Sequence, residues 1–335
     1  MVYNVSHILV KRTDRMHFDC APMEGITGRH FRLAHHRWFG GVERYYIPFL
    51  SPTQTHMFSK KEWQDVLPEY NEGLHVVPQL LTRNADDFLW AAGELAAVGY
   101  QEVNLNLGCP SGTVVAKGKG SGFLGRPQEL KEFLDRIFSA CPLRISIKTR
   151  LGLTDPEEFP PLLELFQRYP VQELILHPRV QKDFYKRPAR REVLAALLPS
   201  CTLPVCYNGD LATAGQCADF FREFPTVQTV MLGRGLVGDP ALARKAAGGP
   251  GADKDALRAF HDQLYEDYCT AFNSRRNAMM RMKEMWFYLI GLFEDDGKAA
   301  KALRKASDAA AFETQVADIF RRLPLRQDNT ISCSQ

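Results

Sequence analysis

A single cysteine, Cys109, stands just past the alternating apolar run "EVNLNL", between Gly108 and Pro110, and a tract of glycines and lysines follows it ("SGTVVAKGKGSGF"). An unperturbed thiol titrates near pH 8.5, so at neutral pH it is mostly protonated and can donate a proton without an activating histidine. A free cysteine is otherwise a small buried hydrophobe, the role assigned to Cys20, Cys206 and Cys217 at strand or helix positions. Cys109 differs because it sits beyond a strand end, on a loop of Gly and Pro, and it is the candidate catalytic residue. Lys148 closes the apolar strand "RISIK". A buried ammonium is costly unless it meets an anionic or electron-rich partner. The N1/C2 carbonyl edge of a flavin, which gathers negative charge on reduction, is such a partner. The alternative is a lysine already past its strand and pointing to water.

Other strand ends carry further polar residues. Gln79 and Asn208 can hydrogen-bond a flat heteroaromatic edge, or cap their own loops. His177 can be a general acid or base, a cofactor contact or a hydrogen-bonded rim residue, and taken alone it reads as the rim. Gly233 to Gly238 spell G-x-G-x-x-G after a strand. A dinucleotide fold would need a second strand bearing an acid about 20 residues on, which is missing. The glycines suit a phosphate cradle instead, with Arg234 as a forked partner; a plain tight turn is the other reading. Neither H-E-x-x-H nor paired-cysteine spacing occurs, so no metal site is expected.

The elements that must position these residues recur regularly. Apolar segments lie near residues 17, 44, 75, 102, 143, 173, 203 and 228, and most gaps hold amphipathic stretches such as "NADDFLWAAGELAAVGY". Eight strands alternating with helices is the pattern of a (β/α)8 TIM barrel, here spanning 17–247. A doubly wound sheet is the alternative, but eight consecutive repeats favour closure. Residues 1–16 read as an N-terminal extension, "GGPGAD" at 248–253 as a linker, 254–325 as a small C-terminal all-α domain, and 326–335 as a polar tail. In a barrel, chemistry gathers at the C-terminal strand ends. Those ends are Pro22-Met23, Gln79, Asn106 with Cys109, Lys148, His177 with Arg179, Asn208-Gly209-Asp210 and Gly233-Arg234, and together they describe one site.

Composition is permissive. The 335 residues are 45% hydrophobic and 24% charged, and the formal charge of +3 neither demands nor excludes nucleic acid. Eight cysteines without a C-x-x-C pair read as reduced thiols of a cytoplasmic protein. Neither a membrane-length apolar run nor a secretory leader is evident, so a soluble, membrane-free protein is expected.

Taken in order, the residues resemble the tRNA-dihydrouridine synthases. "NLGCPSGTVVAKGKGS" is similar to that family's N-x-G-C-P signature. "APMEGIT" (21–27), "PQL" (78–80), "KTR" (148–150), "HPR" (177–179), "NGD" (208–210) and "GRG" (233–235) fit in sequence. The resemblance implies an FMN-dependent barrel that reduces the C5–C6 double bond of particular tRNA uridines, with NADPH or NADH as transient reductant. It implies that Pro22, Met23 and Glu24 pack at the FMN. Gln79, Asn106 and Lys148 then meet the isoalloxazine side, His177 contacts cofactor or substrate, and Asn208, Gly209, Asp210, Gly233 and Arg234 hold the ribityl phosphate. Cys109 donates a proton to C5 while flavin N5 gives hydride to C6. The barrel keeps the flavin and the helical domain orients tRNA, in a monomer.

Two stretches add an electrostatic argument for RNA. Residues 179–191, "RVQKDFYKRPARR", hold six cations, one acid and two aromatics; residues 275–283, "RRNAMMRMK", hold four cations and no acid. The expected tRNA contacts are Lys117, Lys119, Arg179, Lys186, Arg187, Arg276, Arg281 and Lys283. Members of the family this chain resembles often carry lysines at the places occupied here by Thr113 and Ala116, and Lys117 and Lys119 are expected to substitute for them. A solvated basic loop is the plain reading of either patch alone. Two other functions compete: an FMN barrel acting on a free pyrimidine or other small enoyl substrate, and a non-catalytic RNA-binding barrel.

Overall fold

The computed structural model describes residues 16–295 and 297–326. The expected extension, apart from Met16, and the polar tail, apart from Arg326, lie outside them. Eight strands form one closed, all-parallel barrel in sequence order. They are β1 (His17–Cys20), β2 (Arg44–Leu50), β3 (Val76–Leu80), β4 (Glu102–Leu107), β5 (Arg144–Arg150), β6 (Leu174–His177), β7 (Val205–Tyr207) and β8 (Thr229–Leu232). Each coincides with a segment anticipated from the apolar periodicity.

The intervening helices begin where capping residues satisfy the first free N–H groups. Asn84 accepts from the Asp86 and Asp87 amides to start Ala85–Ala97. Thr213 and Gln216 form a reciprocal capping box at Ala214–Glu223. Strand side chains alternate between the barrel interior and the helical layer. The interior holds Tyr46, Val77, Ile175, Cys206 and Met231 in one small apolar cluster. Cys20, Cys206 and Cys217 are all buried, as expected of structural thiols. At the barrel floor, Asp19, Glu173 and Cys206 approach one another. Arg44 donates to both carboxylates, at 2.6 and 2.7 Å, so the cluster is a buried ion network.

Four helices follow the barrel: Lys254–Phe272, Arg275–Leu289, Lys298–Lys305 and Ala309–Arg322. Among the described residues no helix is long and apolar enough to cross a membrane. The first of the four packs on the barrel's Arg29–Trp38 helix. Phe260 meets Phe31 and Phe39 edge-on at centroid distances of 6.0 and 5.4 Å. Trp38 Nε1 donates to Gln263 Oε1 at 2.9 Å. Phe31, Leu257, Phe260 and Leu264 belong to the same continuous core as the barrel's outer face.

Phe260 is fully buried at this junction. Phe260→Ala should cost about 3–5 kcal/mol, and urea denaturation should still give one cooperative transition. A variant that unfolds in two steps, with the barrel unaffected, would show that the two regions do not share a core.

Candidate active site

The C-terminal strand ends converge on a cavity lined by Ala21, Pro22, Met23, Lys148, His177, Arg179, Tyr185, Asn208 to Leu211, Gly233 to Gly235, Phe287 and Tyr288. It therefore joins the ends of β1, β5, β6, β7 and β8, together with two residues of the helical region. The glycines are needed for close approach. A Cβ on Gly235 would lie 2.2 Å from the Leu211 carbonyl, and one on Gly209 would lie 1.9 Å from the Tyr207 hydroxyl.

Lys148 faces this cavity, and its ammonium has no hydrogen-bond or ion-pair partner among the described residues. Burial, aided by repulsion from Arg150, lowers its pKa from 10.5 to about 8. His177 is held in one tautomer. The Arg179 guanidinium can only donate, so at 2.8 Å His177 Nε2 accepts and the ring proton stays on Nδ1. Burial, then the surrounding cations Arg150, Lys148, Arg179 and Arg234, push the His177 pKa well below the usual value. At neutral pH the ring is neutral and does not act as an imidazolium acid. Asp210 joins two loops: it accepts from Arg179 Nη2 at 2.5 Å, from Arg234 Nη2 at 2.7 Å and from the Ala189 N–H at 3.0 Å. Asn208 Nδ2 donates to the Met231 carbonyl at 2.8 Å, tying β7 to β8.

Cys109 is half-buried on its loop and, although expected to face the pocket, is not among the residues lining this cavity; burial raises its pKa, so the thiol is the resting form. The loop is held from several sides. Asn106 Oδ1 accepts from the Gly108 and Cys109 amides, both at 3.0 Å. Ser121 Oγ donates to the Cys109 carbonyl at 2.8 Å. Arg150 Nε donates to the Gly108 carbonyl at 3.1 Å, and Gln181 Nε2 to that of Pro110 at 3.2 Å. Gly120 sits at φ +57°, and a Cβ there would press on the Cys109 carbonyl at 2.9 Å.

Several residues are not where the sequence suggested. Glu24 is exposed and outside the cavity lining. Gln79 is fully buried, with its amide committed to Asn104 and Asn106 at 2.7 Å each. Asn106 braces the cysteine loop and does not line the cavity. Arg179, expected to meet RNA, is only 2% exposed and spends its donors on His177, Asp210 and the Arg187 carbonyl. Arg281 Nη1 donates to the Gly25 carbonyl at 2.6 Å, and Lys283 caps the Lys298–Lys305 helix through the Arg304 and Ala306 carbonyls. Lys119 Nζ reaches Ser51 Oγ at 3.4 Å. Lys117, Lys186, Arg187 and Arg276 do project outward.

Sequence reasoning missed Arg150, Tyr185, Phe287 and Tyr288. Arg150 is buried and also donates to the Val180 and Phe184 carbonyls, at 3.0 Å each. Its bond to the Phe184 carbonyl supports that residue at a positive φ of +48°, a strained backbone position for a bulky side chain. Arg150 was visible only as the last letter of "KTR", and Tyr185 as one aromatic in a basic loop. Tyr185 stacks near the Arg234 and Arg150 guanidinium groups, at 4.8 and 5.3 Å. Nothing in the helical periodicity marked Phe287 or Tyr288. Because both line the cavity, the barrel alone does not build the site.

Residues 19–324 match the family model described as dihydrouridine synthase. The chain is similar to the probable tRNA-dihydrouridine synthase 1 of Synechocystis sp., at 29% identity over 66% of this chain and 62% of that one. It is also similar to tRNA-dihydrouridine synthase B of Vibrio parahaemolyticus, at 30% identity over 66% of this chain and 67% of that one. The matched region thus spans less than two thirds of the Synechocystis relative. Among solved structures, the fold is like that of the old yellow enzyme homologue from Zymomonas mobilis, with TM-score 0.51 and 12% identity over 72% of this chain and 90% of that one. It is also like 2-naphthoyl-CoA reductase, with TM-score 0.54 and 10% identity over 70% and 50% of the two chains.

The buried cation gives a signed prediction. A base whose folded pKa is depressed destabilises the fold below that pKa, and the penalty fades as pH rises to the unfolded value. In protein stripped of any cofactor, Lys148→Met should therefore gain roughly 3 kcal/mol at pH 7. The gain should shrink between pH 8 and 10.5. Chemical denaturation across that range measures it; a gain independent of pH would mean that Lys148 is solvated.

Proposed function

The chain belongs to the dihydrouridine synthase family, and on that premise we propose that it is an FMN-dependent, NAD(P)H-driven tRNA-dihydrouridine synthase. The observation that carries this reading is the Lys148 ammonium, which faces the cavity without a protein partner. The residues around it fit FMN. Lys148 suits the electron-rich edge of an isoalloxazine, and His177 keeps a proton on Nδ1 for donation. Arg234, braced by Asp210 and set between Gly233 and Gly235, suits a phosphate. A flavin held by Lys148, His177 and Arg234 would supply hydride chemistry at C6 of a uracil ring, with NADPH or NADH as its reductant.

The chain's own residues provide the proton and the setting. Cys109 holds its proton at neutral pH because burial raises the thiol's pKa, and it gives that proton to C5. The thiolate left behind is reprotonated from solvent, which the half-buried loop admits. Asn106, Ser121 and Arg150 fix the loop so that the thiol is offered from one direction. A macromolecular substrate is favoured over a free pyrimidine by the rim. Phe184, Tyr185 and Phe287 are 42%, 48% and 55% exposed, with Lys186 and Arg187 beside the first two. Exposed aromatics among cations suit an unstacked base and its flanking phosphates.

Pre-reduced enzyme mixed with unmodified tRNA in a single turnover tests the acid. Cys109→Ala should slow its oxidation by roughly 10²–10⁴-fold, and Cys109→Ser should recover little, since a hydroxyl is a far weaker acid. An alanine variant as fast as wild type would remove Cys109 from the mechanism. Arg234→Ala should weaken FMN retention by about 1.5–3 kcal/mol, the contribution of a charged hydrogen bond. Unchanged retention in equilibrium dialysis would place the phosphate elsewhere.

A further inference from the structure

β4 carries Glu102, Asn104 and Asn106 at alternate positions, so all three side chains share one face of the strand. The register sets Gln79 of β3 and Ser146 of β5 beside Asn104. Their hydrogen bonds run in a single sense. The Cys109 N–H donates to Asn106 Oδ1 at 3.0 Å. Asn106 Nδ2 donates to Gln79 Oε1 at 2.7 Å, and Gln79 Nε2 to Asn104 Oδ1 at 2.7 Å. Asn104 Nδ2 then donates to Ser146 Oγ at 3.0 Å, and Ser146 Oγ to Glu102 Oε1 at 2.7 Å. Five bonds thus connect the cysteine loop at the top of the barrel to a carboxylate at the start of β4.

We propose that this chain is a positioning device for Cys109, in which Asn104, Ser146 and Glu102 orient the Asn106 amide and so fix the loop that offers the thiol. The physical reason is directional. A primary amide can turn over and exchange its oxygen for its nitrogen, and an isolated Asn106 could present Nδ2 to the Cys109 N–H, where no bond forms. A carboxylate accepts only. Glu102 therefore forces the Ser146 hydroxyl to donate downward, which forces Asn104, Gln79 and Asn106 in turn. Each bond polarises the next, and the four links from Asn106 to Glu102 are buried away from competing water, while the first, at the Cys109 amide, is part-buried. The chain does not carry protons to the thiol, because it begins at the Cys109 backbone amide. It occupies part of an interior that barrels usually fill with branched apolar side chains, at the cost of burying four uncharged polar groups that are worth keeping only if fully paired.

This inference rests on the reading of Cys109 as the acid, and the test separates the two. In the full-length, FMN-loaded protein, Ser146→Ala cuts the link between Asn104 and Glu102. Its kcat for uridine reduction should fall roughly 10–100-fold, the scale of a small misplacement, with KM for tRNA within about twofold. Ser146→Thr, which keeps the hydroxyl, should restore kcat. Iodoacetamide labelling of Cys109, followed by mass spectrometry, should be faster in Ser146→Ala because the loop is released. If that variant does not fold, Asn104→Leu cuts the same link and is read in the same two assays. Wild-type kcat and wild-type labelling in the cut variant overturn the proposal, as does a threonine variant as slow as the alanine one. If instead Cys109→Ala reduces uridine normally, the acid assignment fails, and the labelling rate alone still judges whether the chain holds the loop.

Discussion

Positive charge is in excess at the mouth of this barrel, and much of the site's construction follows from it. Lys148, Arg150, Arg179 and Arg234 all bear on His177, while Asp210 is the carboxylate that joins two of them. Four cations crowded together and partly removed from water are mutually repulsive. The fold bears this because the rigid strand ends of β5 and β6 fix three of the four. Arg150 and Arg179 are also spread over backbone carbonyls, where a guanidinium's five donors match several acceptors. Lys148 has no such outlet. Its ammonium is the point where an anionic or electron-rich ligand would gain most, because burial, aided by repulsion from Arg150, already lowers its pKa.

The loops divide this work. Arg150 and Arg179 act as clamps across the loops after β4, β6 and β7; Arg179 also lines the cavity, whereas Arg150 reaches it only through space. Arg234 acts at the cavity and is aimed by Asp210. The neutral His177 follows from the clamp: with Arg179 donating to Nε2, protonation would require breaking that bond among four cations. The ring is thus neutral with its proton on Nδ1, an arrangement suited to donating a hydrogen bond and not to shuttling protons. In the reaction proposed above the proton source is Cys109, whose thiol burial keeps protonated.

The barrel and the strand-end residues were legible because they depend on short-range rules. Alternation along a strand and polar residues at C-terminal strand ends are visible in the letters, and Lys148, Asn208, Asp210 and Arg234 line the cavity as their positions suggested. What could not be read was the direction in which a charged side chain points. Arg179, Arg281 and Lys283 sit in basic stretches that look solvent-facing, yet each reaches a carbonyl or carboxylate supplied by another element. Gln79 and Asn106 look like ligand contacts at strand ends, but their partners come from the cross-strand register. Phe287 and Tyr288 lie on a helix whose apolar spacing says which face is buried and not what that face covers.

Those two residues change how the two halves of the protein relate. If the barrel built the cavity alone, the helical region would act only as a handle for the substrate. Instead Phe287 and Tyr288 close one wall, and the helix that carries them is tied to the turn after β1 by Arg281 on the Gly25 carbonyl. That turn also bears Pro22 and Met23, which line the same cavity. A shift of the Arg275–Leu289 helix would therefore move two walls together. The shared apolar core around Phe260 makes such a shift costly, because it would open contacts packed to interior density. The helical region is thus part of the cavity's frame, and whatever it binds is registered against the Lys148 end of the barrel by side-chain packing and not by a flexible joint.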